Sequence, residues 1–340
     1  MRSCETEIMT ILINTLIIVI GLILAIAIII LFPIIKIFHT SSVCRKPPED
    51  HLPELTHNLY RHVAVLSKEI GSRSLKEYEN ISKAQNYIET FLQGICFPYE
   101  LQSYVVNGKT YSNVIAALPG SDNPPETIVI GAHYDTILDT PGADDNASAV
   151  AVLLEMCRAL QNYSPGKTIK LVFFTLEEPP IFDTEKMGSW IFAKDAKKRG
   201  EEICFMISLD MLGYYSDKEK GQQFPLPLTN MFYPTTPNFI LVVGDTSSRH
   251  MVTLTADKIR QACTLNVENL TVPRFFPGIK LSDNLSFWKM GYKALMITDT
   301  AFFRNPNYHT TKDTIDTLNF DKMTSLCEGL VAMTKDLSRQ

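Results

Sequence analysis

The sequence predicts one α/β domain, a mostly parallel mixed sheet with helices on both faces, preceded by a single N-terminal transmembrane helix. One observation predicts the domain. From about Leu55 to the C-terminus, short apolar or β-branched runs alternate with longer segments of helical spacing. Alternation of that kind suits a sheet covered on both faces. A second observation predicts the anchor: no charged residue occurs from Ile8 to Ile35.

Taken in order, residues 1–38 form an N-terminal segment whose transmembrane helix runs from about 9 to 35. Leu16 to Ile35 is almost purely aliphatic, and at ~1.5 Å per residue such a run spans the ~30 Å hydrocarbon core of a bilayer. A cleaved signal peptide would need a shorter apolar region, ~7–15 residues, ending at small residues. This run instead continues through Phe32, Pro33, Lys36 and Phe38 with no Ala-x-Ala pattern, so a retained anchor is expected. Arg2 precedes the span, and Lys36, Arg45 and Lys46 follow it, a bias that favours a cytoplasmic carboxyl side. Residues 39–52, with Pro47-Pro48, read as a polar linker, and 53–340 as the folded domain.

Within the domain, Leu55–Ile70, Ile81–Leu92, Asn146–Leu160, Lys186–Lys198, Ser247–Ala262 and Phe320–Leu337 have helical spacing. Asn113–Leu118, Thr127–Gly131, Thr168–Thr175, Ile203–Leu209, Phe239–Gly244 and Ala294–Thr298 read as strands. Tyr214 to Asn238, rich in Pro and poor in periodicity, reads as a long loop. Its Phe224, Phe232 and Tyr233 either line a pocket or pin the loop to the body. With 45% hydrophobic residues, 20% charged ones and a net charge of −5, the chain is neither disordered nor a polybasic nucleic-acid binder. Its seven cysteines are scattered with no Cys-x-x-Cys, which argues against a zinc ribbon or a redox pair. Cys157 and Cys204 are expected in the core.

In open α/β sheets, ligands bind beyond the carboxyl ends of the strands. His133 and Asp135 follow one predicted strand, Glu177 and Glu178 another, and Asp210 a third. Asp144 and Asp145 open a predicted helix, and Tyr308-His309 lies in the loop after the strand Ala294–Thr298. Each alone is weak, because a lone His is usually structural and a Glu-Glu pair is usually solvated surface. Together they place two imidazoles and several carboxylates on one sheet edge. Such a set, without thiolates, suits Zn²⁺ in a catalytic site. His133 and Asp135 are two apart and point the same way on an extended backbone, so Asp135 can accept the second imidazole N–H of His133. Adjacent glutamates point differently, which lets one bind metal while the other handles a proton.

Six segments carry a resemblance: GAHYDT (131–136), GADDNAS (142–148), LEEP (176–179), ISLDMLGY (207–214), SDN (282–284) and YHTTKDTIDTL (308–318). In order and spacing they resemble the motifs of the M28 zinc aminopeptidases, over roughly residues 55–340. The resemblance implies a zinc-exopeptidase-like fold and two Zn²⁺ per chain. Asp145 would bridge the two ions, His133 and Asp210 completing one site, Glu178 and His309 the other. Glu177 would be the general base for a metal-activated water and Tyr308 an oxyanion donor. A cis peptide after Asp145 is also implied. The substrates would be peptides with a free N-terminus, and the family's frequent export favours an extracytoplasmic catalytic domain. The family commonly has Ser-Asp-His where this chain has Ser282-Asp283-Asn284, which bears on substrate fit near the pocket wall. Two alternatives share the fold: a glutaminyl cyclase-like aminoacyltransferase with one zinc, and a non-catalytic receptor-like relative, which typically lacks metal ligands that are present here.

Overall fold

The strands expected from the apolar runs form the centre of one eight-stranded sheet. In chain order they are β1 (Tyr99–Val106), β2 (Lys109–Leu118), β3 (Thr127–His133), β4 (Thr168–Phe174), β5 (Ile203–Asp210), β6 (Phe239–Asp245), β7 (Asn266–Val272) and β8 (Ala294–Thr298). Across the sheet the order is β1-β2-β4-β3-β5-β8-β6-β7. The computed structural model describes residues 53–122, 126–226 and 229–339, and Thr15 alone before them. The transmembrane helix and linker expected from the sequence lie outside the described residues. Among the described residues no helix is long and apolar enough to cross a membrane.

The central strands β4, β3, β5 and β8 pair in parallel, so their carboxyl ends share one edge. Antiparallel pairings join β1 to β2, β2 to β4 and β6 to β8, while β6 and β7 are parallel. The seven described α-helices are α1 (Pro53–Ala64), α2 (Tyr78–Gly94), α3 (Ala149–Leu160), α4 (Gly188–Lys198), α5 (Arg249–Ala262), α6 (Asn284–Lys289) and α7 (Phe320–Leu337). Side chains alternate along each strand. Ile128 and Ile130 of β3 face the core with α1, α2, α3, α5 and α7, while Val129 faces α4 and α6. Gly131 is required by this second layer: a Cβ there would meet the Phe174 ring at 2.2 Å.

The elements differ from the sequence reading in particular ways. The expected helix Leu55–Ile70 ends at Ala64, and a wider turn runs on from Val65 to Ile70. The helix expected from Asn146 begins at Ala149, because Asp145 and Asn146 have non-helical backbone angles and their shared peptide is cis. Strands β1 and β7 and the short α6 were not expected. Both strands are sheet edges rich in polar residues, so the apolar signal is diluted. A hairpin signal was nonetheless present: Asn107-Gly108 joins β1 to β2 with positive φ at both residues. Cys157 is in the core as expected, but Cys204 is only half-buried and donates from Sγ to Glu126 at 3.2 Å.

Candidate metal centre

Three strand ends and two loops deliver the polar cluster. His133 is the last residue of β3, Asp210 the last of β5, and Glu177 and Glu178 follow β4. Asp145 arrives on the irregular turn before α3, and His309 on the loop after β8. The chain breaks away sharply at these points. Leu176, Met211 and His309 all adopt positive φ (57°, 54° and 57°), a left-handed conformation costing a non-glycine residue roughly 1–2 kcal/mol.

Asp145 lies at the centre. Its Oδ1 is 3.3 Å from His133 Nε2 and its Oδ2 is 3.2 Å from His309 Nε2. His133 Nε2 is also 3.9 Å from Asp210 Oδ2, and His309 Nε2 is 3.3 Å from Glu178 Oε1. The result is two triads, His133–Asp145–Asp210 and Asp145–Glu178–His309, each able to hold a metal ion and joined by one carboxylate. The sequence reading had brought these same five residues together.

The donor chemistry fits a cation. Glu178 Oε1 is buried and accepts no hydrogen bond, although His309 Nε2 stands near it. His133 Nδ1 lies 3.2 Å from the carbonyl oxygen of Asp135. A carbonyl only accepts, so Nδ1 carries a proton, and Nε2 is the ring nitrogen that faces Asp145 and Asp210. Burial opposes ionisation throughout the cluster. It pushes Glu177 well above the usual carboxylate range, Glu178 up to about 7 and Asp210 up to about 6. Burial also disfavours the charged form of His309, but Asp145 and Glu178 outweigh it and raise the imidazole to about 10. Burial acts against Asp145 ionisation too, yet its two histidines hold that carboxyl below its ordinary value. The nearest fully buried guanidinium, Arg73, spends its donors on the carbonyls of Leu66, Gly71, Tyr134, Pro141 and Gly142. This surplus of carboxylate over cation is what a divalent ion relieves.

Asp135 departs from its expected geometry. Its carboxylate stands 3.7 Å from His133 Nδ1, and the backbone carbonyl makes the contact instead. The carboxylate is taken up by two N–H donors, Glu177 N to Oδ1 and Glu178 N to Oδ2, both at 3.0 Å. Asp135 therefore aims the Glu-Glu pair as well as the imidazole. Tyr308 stacks on His309 with ring centroids 3.7 Å apart, and its ring centroid lies 5.6 Å from that of Phe302. Asn284 is fully buried and donates to the Ile279 carbonyl at 2.8 Å. In the long loop, Tyr233 is buried with its hydroxyl on the Asn269 carbonyl at 3.1 Å, and Gln223 N donates to Phe303 O at 2.7 Å. Tyr233 thus pins the loop.

Sequence reasoning missed the residues that hold this arrangement from behind. Asn146 donates to Leu209 O and accepts from Met211 N, gripping the backbone on both sides of Asp210. Ser148 accepts from Leu212 N and donates to Asp144 O. Both lie inside the GADDNAS segment, so the signal was present without a role attached.

The sequence profile described as peptidase family M28 matches residues 113–334. The uncharacterized protein YfbL of Escherichia coli K12 is 35% identical over 283 residues, 81% of this chain and 86% of that one. Leucine aminopeptidase 1 of Fusarium vanettenii is 30% identical over 225 residues, 62% of this chain but only 51% of the relative, so the match spans about half of that protein. In three dimensions the chain is similar to BSAP, a zinc aminopeptidase from Bacillus subtilis, with a TM-score of 0.65 at 15% identity. That likeness covers 87% of this chain and 97% of BSAP, and it shows the fold.

Proposed function

The chain belongs to peptidase family M28 and is a metallo-aminopeptidase; from that premise we propose that it binds two zinc ions and removes residues singly from peptides with a free N-terminus. The observation that carries the two-ion reading is the division of Asp145 between two triads, one carboxylate oxygen toward each histidine. His133, Asp145 and Asp210 would hold one ion, and Asp145, Glu178 and His309 the other. When bound, zinc supplies a Lewis acid for the scissile carbonyl and lowers the pKa of water toward ~7.

The protein's own residues do the rest. Glu177 is the general base: it is buried, its backbone is held by Asp135, and its carboxylate is free of the two triads. It takes the proton of the attacking water and returns it to the leaving amine, a role that contributes typically 10²–10⁴-fold. Burial and the surrounding carboxylates keep the Tyr308 hydroxyl protonated, so it is a donor for the developing oxyanion. Asp135 positions both His133 and the Glu-Glu pair. The surplus carboxylates attract the protonated α-amine of a peptide, which favours trimming from the end over internal cleavage.

Residues 9–35 are the proposed single-pass anchor, supported by their uncharged apolar sequence. Residues 39–52 are the proposed linker to a catalytic domain on the extracytoplasmic side, the side the family's frequent export favours. On this reading the full-length protein partitions with membranes and resists extraction by high salt.

The test of the activity uses full-length protein in detergent with zinc, a pool of unblocked peptides that includes N-terminal Gln, and mass spectrometry over time. Stepwise shortening is expected, with Glu177→Gln keeping its zinc and losing roughly 10²–10⁴-fold in kcat. Loss of ammonia from the Gln peptides without shortening would make the protein a cyclase. Full turnover by Glu177→Gln would remove that residue from the mechanism.

A further inference from the structure

The Asp145 carboxylate faces two histidines, and no hydroxyl, amide or backbone N–H of the described residues donates to it. Its direction is therefore set by the backbone that carries it. That backbone is gripped on successive groups. Arg73 donates to the carbonyls of Pro141 at 2.9 Å and Gly142 at 3.0 Å. The next three N–H groups all go to one residue, Asp313. Ala143 N donates to its backbone oxygen at 3.2 Å, Asp144 N to its Oδ1 at 2.8 Å and Asp145 N to its Oδ2 at 3.1 Å. Gly142 has φ +62°, and a Cβ there would meet Thr136, the Asp145 carbonyl and Arg73 at 2.3–2.9 Å. The turn has no slack.

Asp313 belongs to the loop that carries His309, and its own N–H closes a turn onto the Thr310 carbonyl at 3.1 Å. It is fully buried among other acidic groups, where a carboxylate is costly. An amide would relieve that charge but would offer one acceptor oxygen, turning its NH₂ against the second N–H. Two adjacent N–H donors require two acceptor oxygens, and only a carboxylate provides both.

We propose that Asp313 is a positioning residue: from its place in the His309 loop it receives the consecutive N–H groups of Ala143, Asp144 and Asp145, and so locks the shared carboxylate of Asp145 in register with His309. This rests on the two-zinc reading. Movement of the His309 loop then carries Asp145 with it, and the 3.2 Å separation of His309 Nε2 from Asp145 Oδ2 is conserved. Loosening the clamp leaves all five metal-binding side chains in the protein but misaligns the one they share.

The experiment is a zinc competition titration against a chromophoric chelator, with full-length wild type, Asp313→Asn, Asp313→Glu and the exposed neighbour Lys312→Ala. Wild type and Lys312→Ala should bind two ions with equal affinity. Asp313→Asn should bind zinc roughly 10–100-fold more weakly, the range seen when a partner behind a metal ligand is lost. At saturating zinc its kcat should remain reduced while KM stays within about two-fold, the signature of lost transition-state alignment. Should Asp313→Asn fail to fold, Asp313→Glu carries the same expectation, because it keeps both acceptors and displaces them by one methylene. Two ions in wild type and undiminished affinity in a folded Asp313→Asn would overturn this inference alone. Fewer than two ions in wild type would end the two-zinc reading and this inference with it. Loss of the fold in both Asp313 variants would make Asp313 a stability residue and overturn the proposal.

Discussion

Among the described residues two buried clusters combine histidine with carboxylate, and only one of the two has the makings of a metal site. Between α1 and α3, His62 Nε2 meets Glu155 Oε1 at 2.9 Å and His62 Nδ1 meets the Tyr87 hydroxyl at 2.7 Å. Glu155 also accepts from Arg158 and Asn58. One imidazole faces one carboxylate, a guanidinium balances the charge, and the polar atoms close on each other at hydrogen-bond distances. At the sheet edge, by contrast, His133 and His309 face Asp145, Glu178 and Asp210 at 3.2–3.9 Å. There negative charge is in excess, and Glu178 Oε1 has no hydrogen-bond donor. Residue type does not separate the two clusters. Lone pairs converging on a common space, with too little positive charge to satisfy them, do.

That contrast can be broken most decisively at Asp145. Asp145→Ala removes the group common to both triads, so zinc affinity should fall by more than the roughly 10–100-fold typical of an outer partner. Turnover should drop to background, and elemental analysis of the purified variant is the measurement. Retention of two ions would show that the ligand set is wrong. Chelation is the next largest effect. A metal held at 100 times its Kd stabilises the native state by about 2.7 kcal/mol, so stripping zinc should lower Tm by several degrees and readdition should restore it. Chelator should act alike on wild type and on His62→Gln, because the polar atoms of the His62 cluster satisfy one another.

The smallest effect sharpens the contrast from the other side. Burial lowers the His62 pKa below its ordinary 6.5. Burial also opposes Glu155 ionisation, but His62 and Arg158 outweigh it and lower that carboxyl below 4.5. A depressed folded value means that the unfolded chain binds more protons at low pH. The histidine's contribution is thus present above about 6.5 and lost as pH falls through its folded value. Loss of the Glu155 contribution follows below about 4.5. Calorimetric scans from pH 8 to 4 should show Tm declining on acidification. His62→Gln should flatten the first part of that decline, cost about 1–3 kcal/mol at neutral pH, and leave kcat/KM within about two-fold.

Much of this was legible in the sequence, for identifiable reasons. The strands that carry His133 and Asp210 are buried on both faces, so their apolar runs stand out and their ends could be located to within two residues. Strands β1 and β7 were not visible, because an edge strand needs little apolar surface; Glu100, Gln102, Asn266 and Glu268 dilute the pattern. The metal-binding set was legible because its chemistry lies in side-chain identity: imidazoles and carboxylates at strand ends admit few other uses. The part of Asp135 was only half legible. Its proximity to His133 follows from strand geometry, but the chain turns after β3, so the carbonyl reaches the imidazole and the carboxylate reaches the backbone after β4.

What the sequence by itself determined, then, is the set of layers and the inventory of donors, both of which depend on local periodicity and residue type. Only the tertiary structure decided which donors share a centre and what holds them there. Asp313 meets Asp144 and Asp145 from 168–169 residues away, and Arg73 reaches Gly142 across 69. Those contacts run through backbone N–H and C=O groups, which every residue carries alike. Nothing in the order of side chains marks which of them will meet until the sheet has brought its strand ends to a common edge.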